Sequence, residues 1–222
     1  MTPSHFPLPE VPVGAVHRPT ARHWRITLRD GARVLLRPIA LADKPLLIAG
    51  FARLSEESRY RRFFTTSPRL SETELDYFVD VDHHNHEAIV AIDPSDGMLL
   101  GVARYIRSSD HGENAEVAVV VADDWHHRGL GRALLDRLTY RARRAGVRRF
   151  SALVQSENRA SLGLLESLGT THRQFDSGLV ELLIALPPKQ GIGSRLRLAL
   201  RTAANQRLMP AKTLAHGVPL EA

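Results

Sequence analysis

A change of hydrophobic period within one short stretch constrains this chain more than anything else in it. Ala115-Glu116-Val117-Ala118-Val119-Val120-Val121 reads as a strand carrying a single acidic residue. Arg128-Gly129-Leu130-Gly131-Arg132 follows after a short break, and Leu130, Leu134, Leu135, Leu138 and Ala142 then recur at helical spacing until Gly146. A strand therefore runs through a glycine-rich turn into an amphipathic helix. Glycines let backbone N–H groups come close to a ligand, and a helix start adds partial positive charge. The pattern predicts a phosphate cradle made of main chain, with Glu116 a few residues upstream as a candidate base.

The 222 residues are 43% hydrophobic, enough for the core of one domain with appendages. A net charge of +6 permits a nucleic acid, an acidic membrane or a polyanionic small molecule as partner and does not choose among them. Cysteine is absent, which excludes disulfides, thiolate metal sites and cysteine nucleophiles and fits a reducing cytoplasm. Met1 to Glu10 is proline-rich without an apolar targeting core. Apolar stretches such as Leu46 to Ala52 are too short to span a bilayer. The expectation is a soluble, cytoplasmic protein.

Three regions are expected. Residues 1–23, with five prolines, form an extended arm. Residues 24–186 form the folded domain. Residues 187–222 form a basic tail, helical in part, whose Leu196, Ala199, Leu200, Ala203, Ala204 and Leu208 would pack on the domain or on a second subunit. Within the domain a first strand is expected over Ala32 to Ile39. A helix follows at 42–54, capped by Asp43. Thr66 to Pro68 is a break, and Ser71-Glu72-Thr73-Glu74 is a capping box that opens a short helix. Strands at 87–92, 99–107 and 115–121 make a meander, with turns at Asp93 to Gly97 and Ser108 to Gly112. After the long helix come a strand at Val147 to Val154, a helix at 158–168 and strands at 171–175 and 179–186. The order implies mixed α/β structure around one sheet.

The segment Glu116 to Gly169 resembles the acyl-CoA-dependent N-acetyltransferases of the Gcn5-related (GNAT) superfamily. Their phosphate signature, Gln/Arg-x-x-Gly-x-Gly/Ala, reads here His126-His127-Arg128-Gly129-Leu130-Gly131, with His126 departing at the first position. Asn158, Ala160, Leu164 and Leu168-Gly169 resemble the family's second cofactor-contacting helix. A narrower likeness, Leu54-Ser55-Glu56-Glu57-Ser58-Arg59-Tyr60-Arg61-Arg62-Phe63-Phe64, is to bacterial protein-lysine acetyltransferases, which act among other targets on acyl-CoA synthetases. The resemblance implies a central, mostly antiparallel sheet flanked by helices, with acetyl-CoA as co-substrate and no metal. A Rossmann fingerprint would want a small residue where Leu134 stands. A P-loop would want Lys-Ser/Thr where Arg132-Ala133 stands.

The chemistry sets the requirements. A lysine amine titrates near 10.4, so freeing its lone pair at pH 7 costs roughly 4–5 kcal/mol. A base in reach relieves part of that cost. Glu116 shares a strand face with Ala118 and Val120, and burial among apolar residues would make it a better proton acceptor. The alternative is a carboxylate paired with one of many arginines, and Glu113 is the fallback base. The resemblance implies that main-chain N–H groups near Val119 and Val121 polarise the thioester where the strand splays from its neighbour. It also implies that Arg128, Gly129, Leu130, Gly131, Arg132 and Ala133 hold the pyrophosphate, with Asn158 contributing from the second helix. Arg128 and Arg132 read equally well as solvated helix face. That reading is preferred for Arg137, Arg141, Arg143, Arg144, Arg148 and Arg149.

Leu165 stands where many relatives carry a tyrosine that protonates the leaving thiolate. Gly169-Thr170 stands where the family often has Gly-Phe. His83, His84 and His86, with Asp82 and Glu87, lack the spacing of a metal site and suggest a loop at the acceptor pocket or a solvated turn. Tyr60 to Phe64 would shape the acceptor side or close a helix end. The expected activity is direct acetyl transfer, in a ternary complex, to a primary amine, with a protein lysine preferred and a small amine as alternative. A non-catalytic acyl-CoA sensor and a nucleic-acid binder are the competing classes. Only 6% of residues are aromatic, which disfavours base stacking.

Overall fold

The computed structural model describes residues 23–63, 69–107 and 112–188. The expected arm at 1–23 and tail at 187–222 lie almost wholly outside these residues, as do the break at Thr66 to Pro68 and most of the turn at Ser108 to Gly112.

Eight strands form one sheet: β1 (Trp24–Thr27), β2 (Arg33–Pro38), β3 (His86–Ile92), β4 (Leu99–Arg107), β5 (Asn114–Val121), β6 (Arg149–Gln155), β7 (Thr170–Asp176) and β8 (Leu179–Ala185). Their order is β1-β2-β3-β4-β5-β6-β8-β7. Every pairing is antiparallel except β5 with β6. The helices are α1 (Lys44–Ala52), α2 (Glu56–Phe63), α3 (Glu72–Val79), α4 (Leu130–Arg144) and α5 (Arg159–Glu166). This mixed α/β architecture, a mostly antiparallel sheet between helices, is the expected one.

Two apolar layers hold the sheet. On one face Leu134, Leu135 and Leu138 of α4 and Leu162 and Leu165 of α5 bury against Ala103, Tyr105, Phe150, Val180, Leu182 and Ile184. On the other, Leu47 of α1 and Leu75 and Val79 of α3 bury against Val90 and Val102. Strand alternation divides β4 between the two faces, so both of its sides must be apolar.

Three local outcomes differ from the sequence reading. Trp24–Thr27 adds an edge strand paired to β2, which an alternation only four residues long was too short to signal. Its Trp24 ring carries the Arg137 guanidinium 4.0 Å above it. Asp43 stands at the start of α1 but makes no cap hydrogen bond from its side chain. Its carboxylate instead accepts from both terminal nitrogens of Arg37 at 2.6 Å and from the Ala40 N–H at 2.8 Å. Arg141 is no solvated helix charge, because it pairs with the fully buried carboxylate of Glu87. The capping box at Ser71 forms as expected: its Oγ accepts from the Glu74 N–H, and Glu74 returns to the Ser71 N–H.

Candidate active site

β5 keeps its parallel partner for only three register pairs, Asn114 with Arg149, Ala115 with Phe150 and Glu116 with Ser151. From Val117 to Val121 it continues beside β4 alone. The two halves of the sheet therefore part just beyond Glu116, which is the expected splay. The Ala122 N–H bonds the Leu100 carbonyl on β4, and the Glu113 carbonyl accepts from Arg148 and Arg149 on the β6 side. Alternation along the strand then turns the amides of Val119 and Val121 toward the opening. Two of the residues singled out from the sequence thus present main-chain donors at the splay.

At the end of β5 a 3₁₀ turn (Asp123–Trp125) leads into the glycine turn. Gly129 is the first flanking residue of α4, with φ +89°, a left-handed conformation that side chains resist. It carries no side chain to cap the helix, so the first amides, those of Leu130, Gly131 and Arg132, have no side-chain cap. The Ala133 N–H closes the first helical bond, to the Gly129 carbonyl at 3.1 Å. At Gly131 the constraint is space. A Cβ there would lie 2.9 Å from Leu164 Cδ2 and 3.7 Å from Val121 Cγ2. The start of α4, the end of β5 and α5 therefore meet at this glycine. His126 ties the turn back to the strand, its Nε2 lying 3.0 Å from the Val121 carbonyl. That contact gives the departing residue of the signature a structural task.

Both arginines of the turn have protein partners. Arg128 pairs with Asp30 and stacks 4.0 Å over Trp125. Arg132 donates to Asp136 and to Ser167 Oγ, each at 2.8 Å. Asn158 caps α5, its Oδ1 accepting from the Ser161 N–H at 3.1 Å. Leu165 is buried in the α4–α5 layer, so no acid occupies that position. Glu113 is exposed in the turn before β5 and 3.8 Å from Arg148.

Glu116 is exposed, contrary to the expectation of a carboxylate buried among valines. The cause is the splay: β6 leaves just where Glu116 ends the pairing, and Ala118 and Val120 beside it are only half-buried. Val120 packs on the α1–α3 layer, which places Glu116 on that face of the sheet. There it lies within electrostatic range of Arg62 on α2 and Tyr77 on α3.

The histidine-rich loop is a knot rather than a solvated turn. Asp82 accepts from the N–H groups of His84, Asn85 and His86 at 2.7–2.9 Å. Burial pulls the Asp82 carboxyl up, and those N–H bonds hold it below its ordinary value. His86 is buried, and burial together with Arg104 pushes its imidazole down to about 3.

The sequence reading missed Arg104, a lone buried cation in β4, and Tyr77. A single arginine inside the apolar run Leu99 to Tyr105 was the available signal. It also missed Asp123, which accepts from the Ser55 N–H at 2.8 Å and from Ser58 Oγ at 2.5 Å and so ties α2 to the glycine turn. Phe63 packs edge-on against Phe51 at 5.2 Å, while Tyr60 is exposed.

Residues 51–170 match the profile of the Acetyltransferase (GNAT) family. The chain is 31% identical, over 73% of its length and 49% of the relative's, to Acetyltransferase Pat of Mycolicibacterium smegmatis. It is 35% identical, over 66% of its length and 80% of the relative's, to an acetyltransferase of Pseudomonas aeruginosa. Its fold superposes on the GNAT domain of S. lividans PAT with a TM-score of 0.68 and 31% identity, covering 74% of this chain and 97% of that one. The chain thus spans about half the length of one curated relative and most of the other.

Proposed function

Because the chain belongs to the GNAT acetyltransferase family, we propose that it moves an acetyl group from acetyl-CoA to a primary amine, a lysine side chain of a protein, by direct attack. The observation that carries this reading is the splay of β5 from β6. It sets the outward amides of Val119 and Val121 between the uncapped start of α4 on one side and Glu116 on the other. The likeness to proteins named Pat and PAT supports a protein lysine as acceptor.

Each group then has a task. The free amides of Leu130, Gly131 and Arg132 bind the pyrophosphate, whose negative charge the α4 dipole favours. Arg128 and Arg132, held by Asp30 and by Asp136 and Ser167, flank it as donors, and Ala133 and Asn158 hold the helix starts in place. The thioester oxygen accepts from the β5 amides, which stabilise the charge that builds there as the amine attacks. Glu116 takes the proton from the amine, directly or through one water, because the lone pair must be free before the C–N bond forms. The C–S bond then breaks, the thiolate leaves with the coenzyme, and solvent protonates it. The exposure of Glu116 suits a base that must meet a bulky acceptor. No helix among the described residues is long and apolar enough to cross a membrane, and we assign the protein to the cytoplasm.

The test is free-thiol release from acetyl-CoA on adding candidate acceptors, an acyl-CoA synthetase among them, with mass spectrometry of the products. Acetylated lysines on the protein acceptor are expected. Turnover with small amines alone would replace the protein acceptor. No heat on titrating coenzyme A by calorimetry would remove the cradle itself.

A further inference from the structure

On the α1–α3 side of the sheet, the face that also bears Glu116, lies a cavity of about 50 Å³. Its walls are apolar, among them Leu54, Phe63, Phe78 and Val120, and its charged groups are the guanidiniums of Arg62 and Arg104. Neither has a carboxylate partner among the described residues. Arg62 lies 4.8 Å from the Phe63 ring centroid, and the negative charge acting on it is that of Glu116, to which it makes no hydrogen bond. Arg104 bonds His86 Nε2 and the Phe78 carbonyl and stacks over the Phe78 ring. Phe64 to Pro68, which follow Phe63, contain no acidic residue.

Donors are in surplus around Arg104. Arginine can only donate, so His86 Nε2 must accept, and the neutral ring then carries its proton on Nδ1. That Nδ1 and the Oη of Tyr77 beside it, with ring centroids 5.1 Å apart, are buried without a partner. Burial and the neighbouring Arg62 push Arg104 down to about 9. Guanidiniums against an apolar wall without a hydrogen-bonded carboxylate are costly unless an anion meets them. The sheet register sets this site beside the base: Ala88, Arg104 and Ala118 form one cross-strand row, and His86, Ile106 and Glu116 the next. Arg104 and Glu116 thus stand about 8 Å apart at the backbone on one face.

We propose that this cavity is a carboxylate-reading subsite of the acceptor cleft, in which Arg62, backed by Arg104, holds a carboxylate carried by the acceptor close to the amine that Glu116 serves. The inference rests on the reading of Glu116 as the acceptor's base. The carboxylate has two sources, the α-carboxylate of a free amino acid or an acidic side chain next to the acceptor lysine of a protein.

The experiment measures binding by calorimetry in the presence of coenzyme A, where no transfer occurs. Two matched pairs of acceptors serve as probes: lysine against lysinamide, and end-blocked Gly-Lys-Glu against Gly-Lys-Gln. In the pair that represents the true source, the member with the carboxylate binds about ten-fold tighter or more, as for a hydrogen bond between charged groups. Arg62→Gln removes that preference, and Arg62→Lys retains part of it. In steady-state assays Arg62→Gln raises the KM of the carboxylate-bearing acceptor and leaves the KM of acetyl-CoA unchanged. Equal binding within both pairs, or a preference that survives in Arg62→Gln, overturns the subsite. A preference without acetylation of any acceptor overturns only the transferase reading.

Discussion

The proposed chemistry concentrates in one side chain, Glu116. Removing its charge while keeping its shape, Glu116→Gln, is expected to lower kcat by about 10²-fold or more with the KM of acetyl-CoA unchanged. Steady-state thiol release decides this, and an unchanged kcat would pass the role to another group. Glu87 is the opposite kind of carboxylate, fully buried and held by Arg141, by His83 Nδ1 at 2.8 Å and by the Ala88 N–H at 3.1 Å. Its charge is structural. Arg141→Ala would leave that charge underground and is expected to cost about 3 kcal/mol or more in urea unfolding. Pairing Arg141→Ala with Glu87→Gln should restore much of the loss. The two glutamates differ by position, not by type. One ends a pairing where the sheet opens; the other lies in a strand buried along its whole length.

Among the elements, β5 and α4 carry the candidate site, and both were legible from period and glycine spacing. Their relation to α2 and α3 was not. Asp123 reaches back to Ser55 and Ser58, a link across more than sixty residues that no local pattern announces. β3 brings His86 against Arg104 on β4 through register alone. The result is a histidine whose folded value, about 3, lies far below its ordinary 6.5. The native state therefore binds no proton there while the unfolded chain does. His86 thus adds nothing to stability loss above pH 6.5 and progressively more as pH falls toward 3. Between pH 7 and pH 5 this single group is expected to remove about 2 kcal/mol of stability. His86→Gln, which can still accept from Arg104, should flatten the pH profile by that amount in denaturant melts at the two pH values. A profile as steep as that of the parent would show that His86 is protonated in the fold.

At the scale of the whole molecule, the proposed cradle links coenzyme binding to stability, because α4, β5 and α5 meet at Gly131 only in the folded chain. Acetyl-CoA at a hundred times its Kd is expected to stabilise the protein by about 2.7 kcal/mol, seen as a rise in Tm. Gly131→Asp adds a side chain where even a Cβ meets Leu164 and sets a negative charge at the pyrophosphate position. It should abolish that rise while the unliganded Tm moves little, since the contact is with the flexible end of a leucine. A retained rise would place the pyrophosphate elsewhere. The sequence by itself determined the order of elements from the meander onward, the glycine turn and the strand that bears Glu116, while β1 and α2 escaped it, because period, turn residues and caps act over a few neighbours. Tertiary structure alone decided that β5 leaves β6 after Glu116, that this carboxylate faces solvent, and that Arg62, Tyr77, His86 and Arg104 converge beside it. Those outcomes depend on sheet register and on which strands twist apart, and both are set by packing between segments distant in the chain.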